Sequence, residues 1–378
     1  TRDLMRELDD AHHRFVAIDN RGLGPADGFE DRRNQLRIGR ERDCPLPLPQ
    51  LVRLTEDHPD VVKVYGHGLT AEVFHLKVEG HHWCLKRCRP DSLVANVDGK
   101  TAFLTELERR REIESLRELH PTILSNVVCT SFGSARAGVL VSPWLRGEPV
   151  CRLNERNLAQ MLAVEAELAR WGWFDWDPSP GNLLDDGQQI SVFDFGYMWP
   201  FDPLHEFNSN GLSDPEFHVP ERLETRTLSG LWLDDADPLP LFRHWRGLCL
   251  AWAKGELQYL SREGASAPVL ARMQGLVGEW SAALASDEAL AANWWRDMYR
   301  SHRLDIQDDL SGKSCGPMTL RRLDWLEQAV RDHFPALAEN LGPDEAGLSQ
   351  AALLQRLGGL REQIRANLLP TPASQSMG

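Results

Sequence analysis

No apolar run in the 378-residue sequence approaches the roughly 20 residues that a membrane-spanning helix requires. The longest, Ala137 to Leu145, is interrupted by Ser142 and Pro143. No transmembrane helix and no membrane insertion are therefore expected. The opening residues, Thr1-Arg-Asp-Leu-Met-Arg-Glu-Leu8, contain no apolar segment of the signal-peptide kind. The expected location is cytoplasmic, with export by a route that needs no Sec signal left open. Cys-x-x-Cys pairs are missing as well: the seven cysteines, at 44, 84, 88, 129, 151, 249 and 315, are odd in number and widely scattered. That pattern fits buried thiols in a reducing compartment rather than a disulfide framework. Positive charge is in deficit, with 42 Lys and Arg against 56 Asp and Glu, a net charge of −14. Such a chain repels phosphate backbones and anionic membranes, so a nucleic-acid partner is not expected. His67, His81 and His82 share the turns of a strand-rich region, but no cysteine or carboxylate set completes a tetrahedral metal site around them. Internal repeats are absent too. What remains, 42% hydrophobic and 26% charged residues, is globular composition on a chain long enough for two lobes.

The grammar changes along the chain. Residues 1–58 read as an extension: a short helix, a Gly/Pro loop, an Arg-rich run (Arg32, Arg33, Arg37, Arg40, Arg42), and a stiff arm marked by Pro45, Pro47 and Pro49. Residues 59–143 read as a strand-rich lobe. Val61 to Tyr65, Glu72 to Val78 and Trp83 to Cys88 form a three-strand meander. A helix from about Lys100 to Leu119 follows, with the apolar stripe Phe103, Leu104, Leu107, Ile113, Leu116 and Leu119, and then the strands Val127 to Phe132 and Gly138 to Val141. Twelve of the 13 tryptophans lie beyond Pro143, so residues 144–342 are expected to form a helical lobe anchored by aromatic side chains. Its helices fall near 154–171, 239–262, 268–285, 287–300 and 317–338, with a two-strand turn at Asp186-Gly187. Residues 343–378 hold one more helix, near 348–367, and a frayed tail.

The residues that carry chemistry cluster in Asp175-Trp-Asp177-Pro-Ser-Pro-Gly-Asn182-Leu-Leu and Ile190-Ser-Val-Phe-Asp194-Phe195-Gly196. Two carboxylates and an amide are thereby set around a hairpin. Phosphoryl transfer asks a protein mainly for positioning and for cations that neutralise the charge spread over the transferred group. Oxygen donors suit Mg²⁺, which commonly takes one or two protein carboxylates and leaves the rest of its shell to phosphates and water. Asp194 and Asn182 are the candidate ligands. Asp177, five residues before Asn182, is spaced to orient or deprotonate an acceptor hydroxyl.

These segments resemble the catalytic loop (Asp, four residues, Asn) and the Asp-Phe-Gly element of the protein-kinase-like superfamily. Upstream, Tyr65-Gly66-His-Gly68-Leu-Thr-Ala71-Glu-Val73 is similar to the glycine-rich loop over ATP phosphates, with Ala71 where a third glycine is usual. Lys86, thirteen residues after Val73, matches the lysine that holds the α and β phosphates. The run Arg111-Glu112-Ile-Glu-Ser-Leu-Arg-Glu-Leu resembles the family's helix C, which makes Glu112 the chosen partner of Lys86, with Glu108 and Glu114 as competitors. Val139 to Pro143, with Val141, would line the adenine pocket.

The resemblance implies an α+β, bilobal protein-kinase-like fold: a small antiparallel sheet of five strands with one helix, hinged to a larger helical lobe, and ATP with Mg²⁺ in the seam. It implies transfer of the γ-phosphate to a hydroxyl. The family's His-Arg-Asp triplet reads Asp175-Trp176-Asp177 here, and no Ala-Pro-Glu element follows Gly196, so control by activation-loop phosphorylation is not expected. Phe201-Asp202-Pro-Leu-His-Glu206 instead resembles a stretch of the aminoglycoside and choline phosphotransferases. The acceptor reading leans to Ser or Thr of a protein, as in effector-type bacterial kinases. A small-molecule phosphotransferase, a nucleotidyl transferase on the same frame and a non-catalytic pseudokinase that only binds stay open as alternatives. Ser311-Gly312-Lys313-Ser314 mimics the end of a P-loop, but Gln307 stands where its leading glycine belongs.

Overall fold

The computed structural model describes residues 36–66, 70–89, 97–338, 341–342 and 344–369. The proposed helix and glycine/proline loop near the amino terminus, Gly68 and His67 of the glycine-rich loop, and the tail beyond Leu369 lie outside the described residues.

Strand β1 (Arg37–Gly39) is followed by a 3-10 turn and by the short helix α1 (Leu48–Val52). Then come β2 (Val61–Tyr65), β3 (Ala71–Val78), β4 (His81–Cys88), helix α2 (Val97–Leu119), β5 (Phe132–Ser134) and β6 (Val139–Pro143). They form one six-stranded sheet in the order β1-β5-β6-β4-β3-β2, with antiparallel neighbours throughout. The sixth strand is supplied by the Arg-rich run of the 1–58 segment, which was expected to stand apart as an extension. Ile38 pairs with Gly133 at the sheet edge, and Leu51 and Leu54 pack on the sheet itself. The apolar residues interleaved with the prolines, Leu46, Leu48 and Leu51, have a face to bury, and burial outweighs the extended preference of the prolines.

Register decides which face each strand residue takes. Val73 lies opposite Lys86, and Lys86 opposite Leu140, so these three share a face. That face is covered by α2 through Phe103 and Leu107. Phe74, Leu85 and Val141 lie on the other face, under Leu51 and Leu54. The expected strand from Val127 to Phe132 does not form over that range. Arg117 of α2 donates to the carbonyls of Leu124, Val127 and Val128, which are therefore not available to a ladder, and the strand begins at Phe132.

Beyond Pro143 the chain makes β7 (Glu148–Pro149), helix α3 (Glu155–Arg170), β8 (Trp173–Asp175), β9 (Leu183–Asp185), β10 (Ile190–Val192) and β11 (Met198–Pro200). Helix α3 starts at a reciprocal cap, in which the Asn154 and Asn157 side chains accept from each other's backbone N–H. The β9–β10 hairpin turns at Asp186-Gly187 and β11 pairs with β8. Helix α4 (Val219–Leu223), a π turn (Glu224–Leu228) and α5 (Ser229–Trp232) run on continuously. Helices α6 (Leu239–Glu263), α7 (Ala267–Ala283) and α8 (Asp287–Gly312) bury Trp232, Phe242, Trp245, Trp280 and Trp294 in the main core. Helix α8 extends a further twelve residues past the expected end at 300, and Lys313 in a left-handed conformation (φ 51°) closes it. The P-loop-like tetrapeptide is thus the end of a helix. Helices α9 (Pro317–Ala338) and α10 (Gln350–Ala366) pack on α8 around a separate cluster that includes Leu323, Leu326 and Leu357. Among the described residues no helix is long and apolar enough to cross a membrane.

Because Leu51 is fully buried against the sheet, Leu51→Ala should lower unfolding stability by about 2–5 kcal/mol. Urea denaturation followed by tryptophan fluorescence measures it; a loss below about 0.5 kcal/mol, the size of an ordinary surface change, would show that the 44–54 segment is not part of the lobe.

Candidate active site

Strand β4 carries Lys86 to the face of the sheet that looks onto α2. Its Nζ lies 2.5 Å from Oε2 of Glu106 and 2.8 Å from Oδ2 of Asp194. Glu106 is completely buried, and its other oxygen accepts from Nε and Nη2 of Arg110, one helical turn on, at 2.9 and 2.8 Å. The Arg110 guanidinium in turn lies over the ring of Phe195. Burial disfavours a charged amine at Lys86, but the Asp194 and Glu106 carboxylates outweigh it and hold its pKa above the usual lysine range. Asp194 is the reciprocal case. Burial would raise its pKa, yet Lys86 beside it holds the carboxyl below the usual range.

Asp194 follows β10 with φ at +68°, a left-handed conformation that costs a side-chain-bearing residue about 1 kcal/mol and is often retained at functional sites. The turn is held from both sides. Phe193 N–H donates to the Asn182 carbonyl at 3.1 Å. Gly196 packs so closely on α2 that a Cβ placed there would meet the Ala102 Cβ at 3.0 Å. Asp177 and Asn182 sit on the loop between β8 and β9, where the Asn182 Nδ2 donates to the Asp177 carbonyl at 3.0 Å. That bond leaves the amide oxygen of Asn182 as the free end of the side chain. The Asp177 carboxylate is engaged by Arg226 of the π turn, whose Nε lies 2.9 Å from Oδ1. Burial raises the Asp177 pKa, and Arg226 partly offsets the rise.

Beneath this loop Asp175 accepts the Asp177 N–H at 2.8 Å. Burial, reinforced by neighbouring carboxylates against the pull of that hydrogen bond, pushes Asp175 up to about 8. Burial and Asp175 likewise push Glu165 of α3 well above the ordinary range. Asp175 and Glu165 thus lie beneath the loop as buried carboxyls whose pKa values burial raises.

Lys86, Glu106, Arg110 and Asp194 are thus joined across the seam between sheet and helical lobe, and Asp177 and Asn182 are bonded to each other on the adjoining loop. Val73 faces the same side as Lys86. Gly66 has open space around the position of a Cβ, so packing does not require a glycine there, whereas close approach of a phosphate would. Gly68 lies outside the described residues. Two expectations need correction. Glu112 does not meet Lys86: its carboxylate accepts from the Trp173 indole and from Arg109, both at 3.0 Å. Six residues along a helix is about 9 Å of rise and a different face, so Glu106 and Glu112 cannot share a partner on the sheet. Glu108 and Glu114 are not the partner either, and Glu114 instead accepts from Arg117 and the Thr130 N–H. Val141 lies opposite Leu85, on the sheet face turned away from Lys86, and is buried in the cluster under Leu51. Glu106 and Arg226 were missed. For Glu106 the signal was present in the sequence: it lies between Phe103 and Leu107 within the apolar stripe, four residues before an arginine.

No family model matches the sequence, and no curated protein matches it. Among solved structures, the chain is similar to WbdD co-crystallised with the kinase inhibitor LY294002, with 12% identity and a TM-score of 0.34 over 62% of this chain and 49% of that one. It is also similar to the BubR1 kinase domain, with 21% identity and a TM-score of 0.29 over 37% of this chain and 47% of that one. The chain spans about half the length of these structures. Its fold is α+β: an antiparallel sheet with one long helix, joined through Pro143 to a mainly helical lobe.

A raised pKa at Asp175 has a consequence for stability. From the ordinary carboxylate pKa of the unfolded chain up to about pH 8 the folded protein keeps a proton that the unfolded chain has released. The contribution of Asp175 is therefore complete in acid and is lost as pH rises towards 8, by at most about 1.4 kcal/mol per pH unit. Melting temperatures between pH 5 and pH 8 should fall less steeply for Asp175→Asn, which keeps the acceptor for the Asp177 N–H, than for the natural protein. Identical slopes would place the titration elsewhere.

Proposed function

We propose that this chain is an ATP- and Mg²⁺-dependent phosphotransferase that moves the γ-phosphoryl group to an acceptor hydroxyl, with Ser or Thr of a protein as the acceptor class. The observation that carries the reading is the double ion pair of Lys86, with Glu106 on α2 and Asp194 on the helical lobe. It sets a fixed cation beside the Asp194 carboxylate, which the loop of Asp177 and Asn182 adjoins.

In this reading Lys86 steadies the α and β phosphates, and the backbone at Gly66, with no side chain in the way, closes over them. The donor set fits Mg²⁺. The Asp194 side chain is 36% exposed, so it is open to a ligand beyond Lys86, and the Asn182 amide oxygen is left free by the bond its nitrogen makes. Among the described residues no group of three or more His, Cys, Asp or Glu is disposed to hold a metal. Mg²⁺ needs no such group, because phosphates and water complete its shell. Bound there, the ion would neutralise charge on the transferred group. Asp177 orients the acceptor hydroxyl and takes its proton as the new oxygen–phosphorus bond forms. The bond from Pγ to the bridging oxygen breaks, and ADP leaves with that electron pair.

A second reading, a small-molecule acceptor, is favoured by the brevity of the segment after Gly196: β11 begins at Met198 and is already paired with β8. That leaves little chain to build a peptide-binding platform.

Incubation of the purified chain with Mg²⁺ and ATP labelled at the γ or the α phosphate, with a cell lysate as acceptor source, tests the proposal. The γ label should move to protein, and Asp177→Asn or Asp194→Asn should slow the transfer by on the order of a hundredfold or more. The γ label on small molecules would support the second reading. Transfer of the α label would instead indicate a nucleotidyl transferase, and stabilisation by ATP without transfer of either label would indicate a binding module.

A further inference from the structure

The residue that engages the Asp177 carboxylate comes from 49 positions further along the chain. Arg226 projects from the π turn between α4 and α5, and π turns inserted into helices often mark functional positions. Its Nε donates to Asp177 Oδ1 at 2.9 Å, and its Nη1 donates to the carboxylate of Asp305 on α8. Asp305 is nearly buried and is also paired with Arg322 of α9 at 2.6 Å. The turn itself is fixed on its other flank, where Glu224 accepts from the Trp245 indole at 2.8 Å and pairs with Arg246 and Arg300 at 2.8 and 3.0 Å. Neighbouring residues of the same helical run hold the backbone on either side of Asp177. Arg222 donates to the Trp176 carbonyl at 2.8 and 3.1 Å, and the Thr227 hydroxyl donates to the Pro178 carbonyl. Trp176, Asp177 and Pro178 are therefore each gripped by one residue of the 222–227 segment.

We propose that Arg226 is a positioning residue for Asp177, a guanidinium clamp that takes one carboxylate oxygen and fixes it against α8 through Asp305. Asp177 Oδ2, which has no hydrogen-bond partner among the described residues, is then turned to the acceptor. The inference rests on the phosphotransfer reading above and adds a residue to it. A planar fork with fixed donors suits the task, since it can satisfy two carboxylates at once and restrict the rotation of both.

The test is steady-state kinetics on Arg226→Gln, Arg226→Lys and the double variant Arg226→Gln/Asp305→Asn, with Asp177→Asn as reference and melting temperatures recorded for all. Arg226→Gln should lower kcat about tenfold to a hundredfold, the cost of a misplaced catalytic group. The KM for ATP should stay within about twofold, because no ATP contact is removed. Arg226→Lys should recover part of the loss. The double variant removes the second carboxylate that Arg226 bridges while its amide oxygen can still accept from Arg322, and its kcat should stay at the level of Arg226→Gln. If Arg226→Gln fails to fold, the double variant decides. Natural kcat in Arg226→Gln or in the double variant would overturn the inference alone, reducing Arg226 to a counter-ion for Asp305. Natural protein that transfers no phosphate, or Asp177→Asn with full activity, would overturn the reading beneath it and the clamp with it.

Discussion

A buried ammonium held between two carboxylates from different parts of the chain is the constraint on which the rest of the site depends. Lys86, Glu106, Arg110 and Asp194 form a set with two charges of each sign. Such a set is tolerable in a low-dielectric seam only while all its members are present, and removing one partner of a buried pair typically costs about 3–5 kcal/mol. The network therefore acts as a three-way tie. The sheet contributes Lys86, α2 contributes Glu106 and Arg110, and the hairpin of the helical lobe contributes Asp194 in its left-handed conformation. Any arrangement in which α2 rotates or the hairpin withdraws leaves a charge unpaired. The open end of the network is Asp194, whose carboxylate reaches the seam beside the buried Lys86.

The helical lobe does a different kind of work. Trp232, Phe242 and Trp294 form an aromatic core by edge contacts with one another. The run from α4 through the π turn to α5 crosses that core and reaches the loop of Asp177. The buried pairs of Arg246 and Arg300 with Glu224 and Asp297 stop the run from turning about its axis. Precision at a short, proline-rich loop is thus supplied from outside it, by side chains anchored in long helices. Beneath it, burial raises the pKa values of Asp175 and Glu165, which lowers the cost of placing two carboxyls together there.

The legible parts of this protein were those whose evidence is local. Asp177, Asn182 and Asp194 stand out through their short spacings around a hairpin and Lys86 through the resemblance, and the structure brings Lys86 against Asp194 and Asn182 against Asp177. The helices around 155–170, 239–263, 267–283 and 317–338 follow from apolar periodicity and caps. What failed needed three dimensions. Whether Glu106 or Glu112 meets Lys86 depends on where α2 crosses the sheet, and that is set by Phe103 and Leu107 packing on Leu140, contacts no spacing reveals. Val141 was chosen from the Val139–Pro143 stretch without a register, and its pairing with Leu85 puts it on the face turned away from Lys86. The stretch marked by Pro45, Pro47 and Pro49 reads as an arm because its prolines are visible in the sequence and the apolar face awaiting its leucines is not. Arg226 had no signal at all, since a π turn has no sequence signature and its partner lies far upstream.

The account stands or falls on whether a nucleotide triphosphate lies in the seam against that ion network. A crystal structure with a non-hydrolysable ATP analogue and Mg²⁺ is the most direct measurement. The account predicts phosphate oxygens in contact with Lys86, and the metal between them and the oxygens of Asp194 and Asn182, with Asp177 facing the terminal phosphate. An analogue bound elsewhere, or bound in the seam with its phosphates turned away from Lys86 and Asp194, would contradict it.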